Sequence, residues 1–160
     1  MKARARAAGN LILQKTGEVV AVDEPLGAEG GPLERGQASR AEVSFAKRDF
    51  MLGNTKLEVL HGGVTAAVLD SIAGIAILLK MAEVDPKPDL ETQLREFARV
   101  STIDLRVDYL EPASAAAFVA TANVTRLGTR IANVQMALTD DAGRCVATGA
   151  AAFSLRAPRG

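Results

Sequence analysis

A histidine followed by two glycines, with a single carboxylate nine residues beyond it, is the arrangement in this chain most able to do chemistry. It lies in Leu60–Leu79, LHGGVTAAVLDSIAGIAILL, where His61 is the only histidine of the protein. Glycines at a helix entrance let another group come close to the backbone. The first N–H groups of a helix have no intrahelical acceptor and sit at the positive end of its dipole. An N–H near Gly62 could therefore hydrogen-bond an oxygen that becomes negative during reaction. The same glycines equally permit a tight turn and close helix–sheet packing. Asp70, alone in an apolar helix, reads either as a catalytic carboxylate or as a structural one bonded to backbone N–H groups. His61 is a candidate base. With no partner acid identifiable, its ring is better read as tying the loop to the helix.

Spacing constrains any joint role for these groups. Eight residues of helix put Gly62 and Asp70 about 12 Å apart along the axis. One substrate carbonyl cannot touch both from the same chain. An enzymatic reading thus requires two copies, with the helix entrance of one beside the middle of the helix of the other, as a two-fold dimer supplies twice.

The elements that must hold these residues are legible from periodicity. Val43 and Phe45 alternate with polar neighbours as a half-buried strand from Ala41 to about Lys47. A long helix is expected over 62–82, ended by Asp85-Pro86-Lys87-Pro88. Leu90, Leu94 and Phe97 fall at helical spacing in a short amphipathic helix. Four strands follow, over 102–110, 116–126, 130–139 and 144–155, separated by the turn residues Glu111-Pro112-Ala113, Leu127-Gly128-Thr129 and Asp140–Gly143. One strand, a buried helix and four consecutive strands predict an α+β fold, an antiparallel sheet wrapped around a long central helix. Residues 1–40 are weakly patterned, with a loose helix expected over the first fifteen or so and a short strand at Val19–Val22. They form an N-terminal extension to one domain, residues 41–156.

Composition narrows the function. Nineteen Lys and Arg balance nineteen Asp and Glu, so the net charge is zero and nucleic acid is not an expected partner. With one cysteine and one histidine, no Cys/His metal set can assemble, and no metal or cofactor is expected. Cys145 is expected as a small buried hydrophobe in a strand. The basic start MKARARA precedes too short an apolar run for a signal peptide. The 62–82 segment is long enough to cross a bilayer, but Asp70 would be costly at its centre. A soluble, cytoplasmic protein without membrane contact is expected. Arg126 and Arg130 flank the turn at Gly128, where their planar forks could reach phosphate oxygens.

Leu60-His61-Gly62-Gly63-Val64 with Asp70 nine residues after the histidine resembles the hot-dog-fold acyl-CoA thioesterases of the phenylacetate-pathway (PaaI-like) type. So do Thr102–Ala113 (TIDLRVDYLEPA), Val124–Arg130 (VTRLGTR) and Val146-Ala147-Thr148-Gly149. The resemblance covers roughly 41–155. It implies a hot-dog fold, a homodimer with composite active sites, and often a tetramer. It further implies that Gly62 presents its N–H to the thioester oxygen, that Asp70 is the catalytic carboxylate, and that Thr102 helps hold water or that carboxylate. The implied reaction converts an acyl- or aryl-CoA to carboxylic acid and free CoA, with CoA part of the substrate. Some relatives carry an amide side chain six residues before the histidine. Here Thr55 stands there, and Asn54 serves only if the loop shifts. The Glu83–Val100 connection is longer than is usual for the family. Two rivals on the same fold are a non-hydrolytic acyl-CoA or fatty-acid binding protein and a hydratase or dehydratase.

Overall fold

Strands with small inward residues form the platform on which the long helix lies. In a computed structural model, the described residues are Arg40–Arg156, preceded by the backbone of two short strands, β1 (Leu13–Lys15) and β2 (Glu18–Val20). β1 and β2 pair antiparallel, with Leu13 opposite Val20. Leu13–Lys15 is thus strand, not the end of a loose helix, because its backbone is used in cross-strand pairing. The remaining expected N-terminal helix, and residues 21–22 of the expected strand, lie outside the described residues.

The domain proper begins with β3 (Arg40–Ala46), then a 3₁₀ turn (Asp49–Met51) and the short pair β4 (Leu52–Asn54) and β5 (Val59–Leu60). The helices α1 (Gly62–Val84) and α2 (Leu90–Phe97) follow. Last come β6 (Ser101–Tyr109), β7 (Ala117–Leu127), β8 (Ile131–Asp140) and β9 (Cys145–Ser154). The main sheet has the order β3-β7-β8-β9-β6, antiparallel throughout. α1 carries the chain from the β3 edge to the β6 edge, and β6 has no strand on its outer flank among the described residues. This is the hot-dog arrangement.

Alternation explains the packing. Phe118, Ala120, Ala122 and Val124 on β7, and Ala132, Val134, Met136 and Leu138 on β8, are buried on one sheet face. α1 seats Leu69, Ile72, Ala73, Ala76 and Ile77 against the core they build. Small alanines let the helix come close. Fully burying a leucine, isoleucine or phenylalanine stabilises by about 1.5–3 kcal/mol each. The wrapping is one-sided, however. Only Thr65, Leu69, Ile72, Ala73, Ala76, Ile77 and Leu78 of α1 are buried, and Val64, Val68, Ile75 and Leu79 are half-covered. α1 is long and apolar enough to cross a membrane by length and composition, yet it already lies on its own sheet. An apolar flank therefore stays open in the single chain.

α2 begins where Asp89 Oδ1 accepts the Thr92 N–H at 2.7 Å, an N-cap. Cys145 departs from expectation: it is exposed. Alternation from Ala147 back to Cys145 points it inward. The pairing with β8 slips between Leu138 and Thr139, opposite Cys145, and breaks that parity at the strand's first residue.

The β8–β9 turn is built on Asp140, whose side chain is almost fully buried. Its carboxylate accepts the N–H groups of Ala142 at 3.0 Å and Arg144 at 2.8 Å, and the Arg144 guanidinium at 2.8 Å. The Arg144 backbone N–H, above all, holds the Asp140 carboxyl below its ordinary value, and the guanidinium adds to this, while burial acts the other way. A carboxyl lowered on folding contributes stability that is present above its unfolded value, roughly 3.9, and is lost as pH falls through the folded one. The Tm is expected to drop on acidification below roughly pH 4. Asp140→Asn should lower the Tm at neutral pH and flatten that acid limb. Parallel Tm–pH curves for the two proteins would contradict this role.

Candidate active site

The loop before α1 is tied at several points. His61 N–H donates to Met51 O at 2.8 Å and Leu60 N–H to Ala113 O at 2.9 Å. Lys47 Nζ donates to Glu58 O at 2.7 Å and Ser114 O at 2.6 Å. Glu58 has a φ of 51°, an unusual conformation for a residue with a side chain, and Lys47 holds its carbonyl.

His61 is the N-cap of α1. Its Nδ1 accepts the Gly63 N–H at 2.9 Å, and its carbonyl accepts those of Val64 at 2.9 Å and Thr65 at 3.2 Å. The Nδ1 lone pair is thus used in capping. Of the first four N–H groups of the helix, the Gly62 N–H alone has no acceptor among the described residues. The Gly62 carbonyl, by contrast, accepts the Tyr109 hydroxyl at 2.7 Å. A Cβ on Gly62 would come within 3.2 Å of that hydroxyl, so glycine here answers a close approach.

Beside Gly62 opens a cavity of about 450 Å³, lined among others by Asn54, Leu57, Leu60, Tyr109, Leu110 and Ala113. Asn54 therefore shares the cavity with Gly62. Its Oδ1 accepts the N–H groups of Lys56 at 3.1 Å and Leu57 at 3.2 Å, shaping the β4–β5 turn.

Asp70, half-buried on α1, accepts the Thr102 hydroxyl at 2.9 Å through Oδ1. Thr102 stands at the start of β6 and Tyr109 at its end. The edge strand β6 thus touches α1 through Thr102 at the Asp70 carboxylate and through Tyr109 at the Gly62 carbonyl. One turn past Asp70, Gly74 packs against Phe97 of α2, whose ring lies 3.5 Å from a Cβ built there. The long connection thereby reaches the middle of the helix, one turn from Asp70.

Arg126, Gly128 and Arg130 gather with Thr129 and Asn133 around a second depression of about 420 Å³. Asn133 and Ala152 in its lining alternate with the buried Ala132, Val134, Ala151 and Phe153, so it faces away from α1. Gly128 serves the turn, where its N–H bonds Ile131 O and a Cβ would meet that oxygen at 2.9 Å. No cluster of three or more His, Cys, Asp and Glu side chains suited to a metal forms among the described residues. Sequence reasoning placed Tyr109 in a strand and in a motif but gave it no part in the site. Being the only tyrosine and closing the alternation of β6 were the available signals.

An amide of Gly62 without an acceptor among the described residues and a threonine-held carboxylate two turns on thus stand on one helix of a hot-dog fold. The family model described as Thioesterase superfamily matches residues 57–147. The medium/long-chain acyl-CoA thioesterase YigI of Escherichia coli K12 is 33% identical over 145 residues, covering 88% of this chain and 92% of that protein. A crystal structure from Shewanella oneidensis, described as related to the thioesterase superfamily, has a TM-score of 0.67 at 31% identity over 72% of this chain and 76% of that one. A phenylacetic acid degradation-related protein of Ralstonia eutropha aligns at 26% identity with a TM-score of 0.57, over 73% of this chain and 76% of its own. The chain belongs to the thioesterase superfamily.

Proposed function

We propose that this protein is an acyl-CoA thioesterase whose active sites are shared by two copies of the chain. The observation that carries the reading is the unbonded Gly62 N–H at one point of α1 with the Thr102-held Asp70 eight residues on. The thioester oxygen accepts the Gly62 N–H, which stabilises the charge that develops there. Asp70 of the second copy attacks the carbonyl carbon or takes a proton from an attacking water. The C–S bond breaks, the thiolate leaves as CoA and takes up a proton, and water supplies the acid's new oxygen.

The open flank of β6 supports the sharing. Pairing β6 with its own copy about a two-fold axis near its middle sets the Tyr109 end of one strand against the Thr102 end of the other. That juxtaposes the Gly62 amide with the second copy's Asp70. It also covers an edge strand carrying the exposed Ile103 and gives the half-covered flank of α1 a partner. The apolar cavity beside Gly62 suits the acyl chain. The relatives named for medium- and long-chain acyl-CoA make those lengths the first to try. Capping by His61 Nδ1 disfavours a hydratase built on that histidine. A thiol-release assay across short, medium, long and aryl acyl-CoAs should give free CoA with the wild type, on at least one substrate class. No thiol from any of them would overturn the reading.

In the same proposal Arg126 and Arg130 bind CoA phosphates. Replacing both by alanine is expected to raise KM for CoA thioesters roughly tenfold. Thioesters of N-acetylcysteamine, which lack the phosphates, should show no such change. Equal KM values for the CoA substrates would take the two arginines out of the binding site.

A further inference from the structure

We propose that Tyr109 is a positioning residue for the oxyanion donor, acting on the thioester through the Gly62 peptide rather than touching it. The inference rests on the reading above, in which the Gly62 N–H receives the thioester oxygen.

Two contacts define the relation. The Tyr109 hydroxyl donates to the Gly62 carbonyl at 2.7 Å, and its ring lies 3.3–3.4 Å from where a Cβ of residue 62 would stand. The residues are 47 apart in sequence, so the bond joins the far end of β6 to the first turn of α1. Glycine has the widest backbone freedom, and here two stand in succession. The direction of the Gly62 N–H depends on the ψ of His61 and the φ of Gly62. The first is set chiefly by the His61 carbonyl, which lies in the same peptide plane as that N–H and accepts the N–H groups of Val64 at 2.9 Å and Thr65 at 3.2 Å. The Tyr109 hydroxyl holds the carbonyl of the next peptide plane and so restrains the φ and ψ of Gly62 together, from the other side of the same residue. A donor fixed before the oxyanion forms needs no reorganisation as it forms, which is the source of its catalytic value.

Tyr109 is itself 57% exposed, at the rim of the cavity. A side chain whose ring remains so open gives the core little packing, while its hydroxyl is engaged with Gly62, whose N–H has no acceptor among the described residues. Placed at the end of β6, it also stands where pairing of two copies would bring the second Asp70.

Tyr109→Phe keeps the ring and deletes the hydroxyl. It is expected to lower kcat roughly tenfold on the best acyl-CoA, with KM within about twofold of wild type and little change in Tm. In a Gly62→Pro background, which has no N–H at residue 62, the same change should lower kcat no further. Tyr109→Ala, lacking both contacts, should ease the Cβ crowding of Gly62→Ala, so that the double variant exceeds the product of the two single effects. A Tyr109→Phe enzyme with unchanged kcat and only a lower Tm would overturn the proposal. So would an equal loss from Tyr109→Phe in the Gly62→Pro background, because the hydroxyl would then act on something other than the Gly62 peptide. Those results leave the thioesterase reading intact. Equal activities for Gly62→Pro and Gly62→Ala would instead remove the oxyanion role of Gly62, and the role of Tyr109 with it.

Discussion

Asp70→Asn is expected to lower kcat for acyl-CoA hydrolysis by about 10²–10⁴-fold with the fold retained. The side chain keeps its size and its Oδ1, so the Thr102 hydroxyl still has an acceptor at the 2.9 Å position. What is lost is the carboxylate oxygen that attacks the carbonyl or draws a proton from water. An amide nitrogen can do neither. A purely structural Asp70 predicts the reverse pattern, a lower Tm with turnover kept. Thiol release at saturating substrate, with a thermal melt of the same preparation, separates the two. An Asp70→Asn enzyme that hydrolyses every acyl-CoA at the wild-type rate would end the catalytic reading.

Gly62→Pro compared with Gly62→Ala should isolate a single N–H. Residue 62 is the first helical position, where proline is well tolerated because the missing N–H bonds nothing within the helix. The residue ahead must be extended, and His61 is, with φ −64° and ψ 133°. Both variants add a Cβ near the Tyr109 hydroxyl, so that cost is shared. Only proline removes the donor. The expected result is a kcat for Gly62→Pro about 10²–10³-fold below that of Gly62→Ala, the loss typical of an oxyanion donor. Matching kcat values would mean that the thioester oxygen is held elsewhere.

Much of this site was legible in the chain because its cues are local. The glycines and the prolines at 86 and 88 bound α1, and the observed helix, Gly62–Val84, extends two residues past the expected end. Strict alternation over Thr102–Tyr109 located β6, and the turn residues separated β7, β8 and β9 to within a residue or so. The bond between Thr102 and Asp70 was anticipated only through the family resemblance, since 32 residues separate them and no periodicity links them. Tyr109 went unassigned for the same reason. Cys145 was expected inside because free cysteine is usually buried, and the register slip opposite it leaves no mark in residue types. The apolar character of α1 was read as burial by its own sheet. The sheet covers one side, and the excess apolar surface is what the proposed pairing of two copies would cover.

The central claim is that the amide and the acid of one reaction centre come from different polypeptides, and subunit mixing tests it most directly. Gly62→Pro and Asp70→Asn proteins, each nearly inactive, would be combined in equal amounts and allowed to exchange. A mixed dimer holds one intact centre, Gly62 from one chain and Asp70 from the other, and one doubly defective centre. Random exchange should restore about a quarter of the wild-type activity per dimer, half the dimers being mixed with one of two sites working. A mixture in which mass measurement shows exchanged subunits, yet whose thiol release stays at the parents' level, would contradict the account.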